Sequence, residues 1–246
     1  MAKRGGHIDV HRPVVWVVGA SHGIGKEIAK QFAIIGCEVC LSSRNRQRLH
    51  TATKEIIQQG GLAHDFPCDV TRPVSIVTAV ERIRRQIGEI DVLILDAGAT
   101  VFKSFDETSL KEFDDIIDTN LSGHIRCVKA VLPSMIERKS GWIFNISSNA
   151  AVKTFEGSAA YTATKAGLLG AMRVLREEMK PFNVKVINVL PGPVETEMWS
   201  EADRAKYSRQ MMHPKSVAEA ILAVYAMPDD VVVDEMIIRP IQGDIE

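Results

Sequence analysis

Tyr161 and Lys165 stand four residues apart in Tyr161-Thr162-Ala163-Thr164-Lys165, at the start of a segment with helical periodicity. That spacing sets a phenol and an ammonium on one face of one helix. A tyrosine, with a reference pKa of about 10, is a poor base at neutral pH. A fixed cation beside it favours the phenolate and lowers that value, each unit requiring roughly 1.4 kcal/mol of differential interaction. Such a pair can give a proton to a carbonyl oxygen or take one from an alcohol. The same spacing also describes an ordinary surface helix with a half-buried ring, so the pair needs company before it means chemistry.

A second feature is Val18-Gly19-Ala20-Ser21-His22-Gly23-Ile24-Gly25, which follows a β-branched run and opens a helical pattern. Glycines allow a sharp turn and a close approach of backbone to a pyrophosphate, and a helix N-terminus adds free N–H groups and partial positive charge. Without that context the glycines describe only a tight turn between strand and helix. After the second strand the sequence reads Leu41-Ser42-Ser43-Arg44-Asn45-Arg46. The acid that NAD-binding folds place there for the ribose 2′-hydroxyl is absent. Arg44 can fork onto a 2′-phosphate and Ser43 can donate to it, which predicts NADP(H) over NAD(H). The competing reading is that Arg44, Arg46 and Arg48 simply solvate a helix start.

Strand-like and helix-like segments alternate along nearly the whole chain, and these must position the groups named above. Strands are expected at 14–18, 38–41, 62–68, 91–95, 142–146, 184–190 and 235–238, and helices at 24–35, 45–59, from Thr71-Arg72-Pro73 to 86, about 109–137, 160–180 and 217–226. Pro133 is expected to kink or break the long helix. Repeated β-α units imply an α/β fold, a single doubly wound Rossmann-type domain whose parallel sheet of about seven strands carries helices on both faces. The catalytic domain is expected over 13–246, after a flexible tail at 1–12 that lacks the apolar region of a secretory signal. The irregular stretch of about 191–214, after a strand, holds Met198, Trp199, Tyr207, Met211 and Met212 and is expected to carry function.

The 246-residue chain has 30 basic and 31 acidic residues, which argues against a nucleic-acid or membrane-surface footprint. No apolar run is long enough to span a bilayer. Cys37-x-x-Cys40 resembles half of a redox or zinc motif, but residues three apart on a strand point to opposite faces, and no second pair follows. The four cysteines are read as buried thiols in a reducing cytosol, and no metal is expected. His7 and His11 on a glycine-containing terminus are not expected to form a metal site either.

Taken together, Gly19-x-x-x-Gly23-x-Gly25, Tyr161-x-x-x-Lys165 and their companions resemble the short-chain dehydrogenase/reductase family over about 14–238. The resemblance implies hydride transfer between nicotinamide and substrate carbon. It implies that Ser148, thirteen residues before Tyr161, binds and orients the substrate oxygen, although Ser147 or Ser148 could simply cap a turn. Tyr161 becomes the general acid/base. Lys165 also holds the nicotinamide ribose, and Asn120, in Thr119-Asn120-Leu121-Ser122-Gly123, positions a water in a proton relay. Cofactor contacts are expected from Gly19, Ser21, His22, Gly23, Ile24, Gly25, Ser43, Arg44, Asp69, Val70, Ala97 and Gly98. Asp69 would touch the adenine, though a turn residue before a helix is the plainer alternative. Pro191, Gly192, Val194 and Thr196 would cover the nicotinamide, with Thr196 near its carboxamide.

Two positions depart from the family. Val18 replaces the usual threonine before the first glycine, and Leu95-Asp96-Ala97-Gly98 replaces Asn-Asn-Ala-Gly. The brace between them is expected to be rebuilt with Val18 against apolar neighbours, while Asp96 either binds backbone N–H groups or sits near the ribose. The C-terminal Val232 to Pro240 stretch looks more like bacterial sepiapterin and carbonyl reductases than like 3-oxoacyl-carrier-protein reductases. A small carbonyl or alcohol substrate is expected, apolar or planar if the Met and Trp side chains of 191–214 touch it. Alternatives are a 3-oxoacyl-thioester reductase and a non-catalytic NADP sensor. A cytoplasmic homodimer or homotetramer, with no nucleic-acid or membrane partner, completes the expectation.

Overall fold

The β-branched runs do what apolar segments between helices must: they line up as parallel strands buried on both faces. The computed structural model describes residues 12–245. Its strands are β1 (Val14–Val18), β2 (Glu38–Ser42), β3 (Leu62–Asp65), β4 (Val92–Leu95), β5 (Gly141–Ile146), β6 (Val184–Pro191) and β7 (Glu235–Ile238). They form one seven-stranded sheet in the order β3-β2-β1-β4-β5-β6-β7, every pairing parallel. Strand order reverses between β1 and β4, the switch point where doubly wound sheets open a crevice at the strand C-termini.

The helices are α1 (Gly23–Ile34), α2 (Arg46–Gln58), α3 (Pro73–Gln86), α4 (Leu110–Ile117), α5 (Gly123–Arg138), α6 (Ala159–Met179), α7 (Glu201–Tyr207) and α8 (Pro214–Tyr225). One core joins the sheet to α1, α2 and α8 through Ile28, Phe32, Leu49, Ile56, Val217 and Ile221. The other joins it to α3, α5 and α6 through Ile76, Ile83, Val128, Leu168 and Met172. Val18 and Leu95 are register partners on β1 and β4 and belong to this second core, so the apolar brace expected of them is in place.

Three local expectations need correction. The long helix does not break at Pro133, which lies inside a continuous α5. It is interrupted earlier, by a π-helical turn at Asp118–Ser122 between α4 and α5. Such turns insert one extra residue and re-aim the side chains on either side of it, and this one carries Asn120. The 191–214 stretch is not wholly irregular, because Ser200 caps α7 by accepting from Asp203 N–H at 3.0 Å. Finally, β3 ends at Asp65 rather than reaching Cys68.

Cys37, Cys40, Cys68 and Cys127 are all buried and free. Burial pushes the Cys37 and Cys68 thiols up to about 11, which keeps them as inert thiols at neutral pH. Residues 1–11 of the expected tail, with His7 and His11, lie outside the described residues. Among the described residues no helix is long and apolar enough to cross a membrane, and no group of His, Cys, Asp or Glu is placed to hold a metal ion.

Candidate active site

The crevice between β1 and β4 is walled on one side by backbone. Gly19 has φ +102°, and a Cβ there would lie 2.5 Å from Ala97 N, so only glycine lets the β1 turn touch the segment after β4. At Gly25 a Cβ would lie 2.6 Å from Gly19 O and 2.7 Å from Asp96 Oδ2. The reason for the second distance is a hydrogen bond: Gly25 N–H donates to Asp96 Oδ2 at 2.7 Å. Of the two roles left open for Asp96, the backbone N–H role is the one observed. Because α1 opens at Gly23, its first-turn N–H groups lack intrahelical partners, and with Gly25 taken those of Gly23 and Ile24 are left for an anion. Ser21 and His22 form the turn before them, His22 as an N-cap without a side-chain bond.

The segment after β6 folds over this turn. Pro191 ends β6 opposite Ile238, Gly192 N–H donates to Ile238 O at 2.7 Å, and Val194 bridges Met212. Thr196 then reaches Gly23, whose added Cβ would sit 3.3 Å from Thr196 Cγ2. Further along the crevice Ser43 Oγ–H donates to Asn45 O, while Arg44 is exposed at the start of α2. Asp69 accepts from Thr71 N–H and Thr71 Oγ–H at 3.1 and 2.8 Å, the turn role weighed for it. Val70 is buried against Gly123.

On the other side of the crevice the groups are side chains. Ser148 caps a short 3-10 turn after β5, accepting from Ala150 N–H at 3.1 Å, and its hydroxyl lies beside the Tyr161 phenol, whose ionised form it favours. The capping and site readings of Ser148 therefore coexist. Lys165 is buried, donates to Ile146 O at 2.8 Å, and sits 5.6 Å from the Tyr161 ring centroid. Burial pushes the Tyr161 phenol up to about 12; the Ser148 hydroxyl lowers it and Asp96 raises it further. The lowering expected from Lys165 is not among the effects that act on the phenol, which desolvation dominates. Burial also lowers the Lys165 ammonium, Asp96 opposing, and raises the Asp96 carboxyl, with Lys165 and Gly25 N–H opposing.

Asn120 is fully buried and braces the loop after β4. Its Oδ1 accepts from Ala99 N–H at 2.8 Å, and its Nδ2 donates to Ala99 O at 2.8 Å and to Thr164 Oγ1 at 3.3 Å. Both amide donors are engaged, so a water held by this residue would have to donate to Oδ1 or to the backbone. Gly98 lies beside it, 3.9 Å from Asn120 Oδ1 to a would-be Cβ, and 3.7 Å from Met198 Cε. Sequence reading missed His124, which is fully buried with Nε2 2.7 Å from Ala97 O. Burial pushes it down to about 3, so it is neutral, and facing a carbonyl its Nε2 carries the proton. Also missed were the Arg48–Glu197 ion pair at 2.6 Å, joining α2 to the segment after β6, and the stacking of Phe102 on Trp199 at 6.1 Å. No local pattern announces contacts between such distant residues. A cleft of about 380 Å³ is lined by Phe105, Phe155, Ser158 and Thr162, at the start of α6.

Residues 13–206 match the family model for short chain dehydrogenases. An uncharacterized oxidoreductase of Staphylococcus saprophyticus is 31% identical over 235 residues, covering 95% of this chain and 100% of the relative. Sepiapterin reductase of Chlorobaculum tepidum is 31% identical over 240 residues, covering 95% of this chain and 98% of that enzyme. Among solved structures, an actinorhodin polyketide ketoreductase with NADPH superposes with a TM-score of 0.87 at 29% identity, covering 93% of this chain and 96% of that one. With the motif residues spread from β1 to the segment after β6 and the match running through them, the chain belongs to the short-chain dehydrogenase family of oxidoreductases.

Proposed function

We propose that this oxidoreductase uses NADP(H) to interconvert a small carbonyl compound and its secondary alcohol, with Tyr161 as general acid/base. The observation that carries the reading is the Ser148 hydroxyl beside the Tyr161 phenol and buried Lys165, across from a glycine turn that Thr196 reaches. The glycine turn fits a pyrophosphate because its approach to Ala97 and Asp96 leaves no room for side chains, while two first-turn N–H groups remain available. Bound there, the nicotinamide supplies the hydride that reduces the carbonyl carbon.

The chain's own residues handle the proton. Ser148 donates to the substrate oxygen and fixes its position. With its phenol pushed up to about 12, Tyr161 rests protonated, the state an acid requires, and gives its hydroxyl proton to that oxygen. Lys165 offsets the phenolate left behind and holds the ribose, while Asn120 keeps the loop after β4 in place. Arg44 and Ser43 receive the 2′-phosphate, Asp69 and Val70 flank the adenine, and Pro191, Gly192, Val194 and Thr196 cover the nicotinamide. Exposed Phe102, Phe105 and Met198 around the mouth favour an apolar or planar substrate, a sepiapterin-like compound being the first to try. Exposed Leu110 and Val174 on α4 and α6 suit a cytoplasmic homodimer or homotetramer built on those helices.

Oxidation of NADPH and NADH with sepiapterin, a diketone and an acetoacetyl thioester tests this. NADPH should be consumed with sepiapterin or the diketone, and NADH at least tenfold more slowly. Faster thioester reduction would move the substrate to the 3-oxoacyl class. Tight NADPH binding with no turnover would sink the enzyme reading in favour of a sensor.

A further inference from the structure

Ser148 has a line of partners that proton transfer at Tyr161 does not itself require. Its hydroxyl lies 3.3 Å from Asn149 Oδ1, and Asn149 Nδ2 lies 2.7 Å from Oδ1 of Asp244, in the C-terminal segment after β7. The Asp244 side chain is only 3% exposed, although Ile241, three residues earlier, is wholly exposed. Its second oxygen faces Lys153 Nζ at 3.1 Å and the Arg239 guanidinium at 3.7 Å. A Cβ on Gly192 would lie 3.2 Å from Asp244 Oδ1. One carboxylate from the end of the chain therefore touches the loop that carries Ser148, the turn after β6 and the residue after β7.

The donor and acceptor pattern along this line is forced. A carboxylate facing two cations accepts hydrogen bonds and donates none, so Asn149 must turn its NH₂ toward Asp244. That leaves Asn149 Oδ1 toward Ser148, an acceptor to which only the Ser148 hydroxyl proton can be offered. Ser148 Oγ then accepts from Ala150 N–H at 3.1 Å, which leaves its second lone pair open on the side of Tyr161. At 3.3 Å the Ser148–Asn149 bond is long for an O–H donor and is given up at little cost. An arriving substrate oxygen can take that proton without disturbing the Tyr161 hydroxyl, which keeps its own proton for transfer.

We propose that Asp244 is a positioning residue that acts through Asn149 to fix the direction of the Ser148 hydroxyl. The proposal rests on the roles of Ser148 and Tyr161 given above. Without Asp244 the Asn149 amide is free to turn over, its NH₂ then donates to Ser148 Oγ, and the hydroxyl loses its defined orientation.

A double-mutant cycle tests this with a carbonyl that the wild-type chain reduces. Asp244→Ala should lower kcat roughly tenfold, the loss of about one hydrogen bond's worth of orientation, with NADPH affinity within about twofold of wild type. In a Ser148→Ala background the same change should cost nothing further, because the hydroxyl it orients is gone. An unaltered kcat in Asp244→Ala, or an equal tenfold loss on top of Ser148→Ala, would overturn the proposal, the latter showing a general loosening of the tail. Asp244→Asn, of equal volume, serves if the alanine variant fails to fold, with the same dependence on background expected. Wild-type turnover by Ser148→Ala alone would instead sink the reading of the site itself, whatever Asp244 does.

Discussion

On the β1 and β4 side of the crevice the chain presents backbone, and on the β5 and α6 side it presents side chains. The first side is made of Gly19, Gly23, Gly25 and the Asp96–Ala97 peptide, packed so closely that carbons added at Gly19 and Gly25 would overlap main-chain atoms. The second is made of Ser148, Tyr161, Lys165 and Asn120, whose hydroxyl, phenol, ammonium and amide are held by hydrogen bonds rather than by contact with main chain alone. The difference separates two kinds of fragility. The backbone side should fail through shape, at any pH. The side-chain side should fail through protons and orientation, with the fold intact.

Ser148→Ala should sharpen this division most. Loss of a donor to a developing oxyanion costs about 10²–10³ in kcat, and here NADPH affinity should stay near wild type, with only about 1 kcal/mol of stability lost with the Ala150 cap; a comparable loss of cofactor affinity would break the division. Gly19→Ala should do the reverse. Its Cβ would meet Ala97 N at 2.5 Å from a residue with φ +102°, so about 1–3 kcal/mol of stability should be lost together with cofactor affinity. A differential scan and a cofactor titration measure both; a Gly19→Ala chain with normal affinity would show that the turn does not cradle the nucleotide.

Arg44→Ala should cost about tenfold or more in NADPH affinity while leaving NADH binding nearly unchanged, as expected for one charge-assisted contact to a 2′-phosphate. Equal losses for both cofactors would return Arg44 to the role of a solvating surface residue. The smallest effect expected is from Asp96→Asn. Asp96 raises both the Lys165 ammonium and the Tyr161 phenol, so removing its charge should lower both. Reduction needs both groups protonated, and its alkaline limb should therefore move to lower pH. A limb that stays in place or moves up would contradict the electrostatic link across the crevice.

Much of this layout was legible in the chain. The strands showed themselves because a buried parallel strand is a short β-branched run, and the glycine turn because its spacing follows such a run. Tyr161 and Lys165 were legible because one helical turn brings them together without help from the rest of the fold. What could not be read is what depends on distant partners. Pro133 looked like a helix breaker, yet α5 runs through it and the irregularity sits at Asn120, whose amide is drawn to Ala99. Asp96 could not be assigned because its partner, Gly25 N–H, lies across a strand pairing. Asp244 gave no signal at all, being ninety-five residues from Asn149. The helix α7 does carry a local sign, the Ser200 cap with Glu201 and Asp203 behind it.

The most direct test of the account is turnover by Tyr161→Phe, with NADPH affinity measured on the same preparation. The phenol hydroxyl is the only atom removed, and a positioned acid contributes about 10²–10⁴ in rate. The account predicts a loss in kcat of that size with affinity within about threefold of wild type. A Tyr161→Phe chain that reduces its carbonyl at the wild-type rate would contradict it.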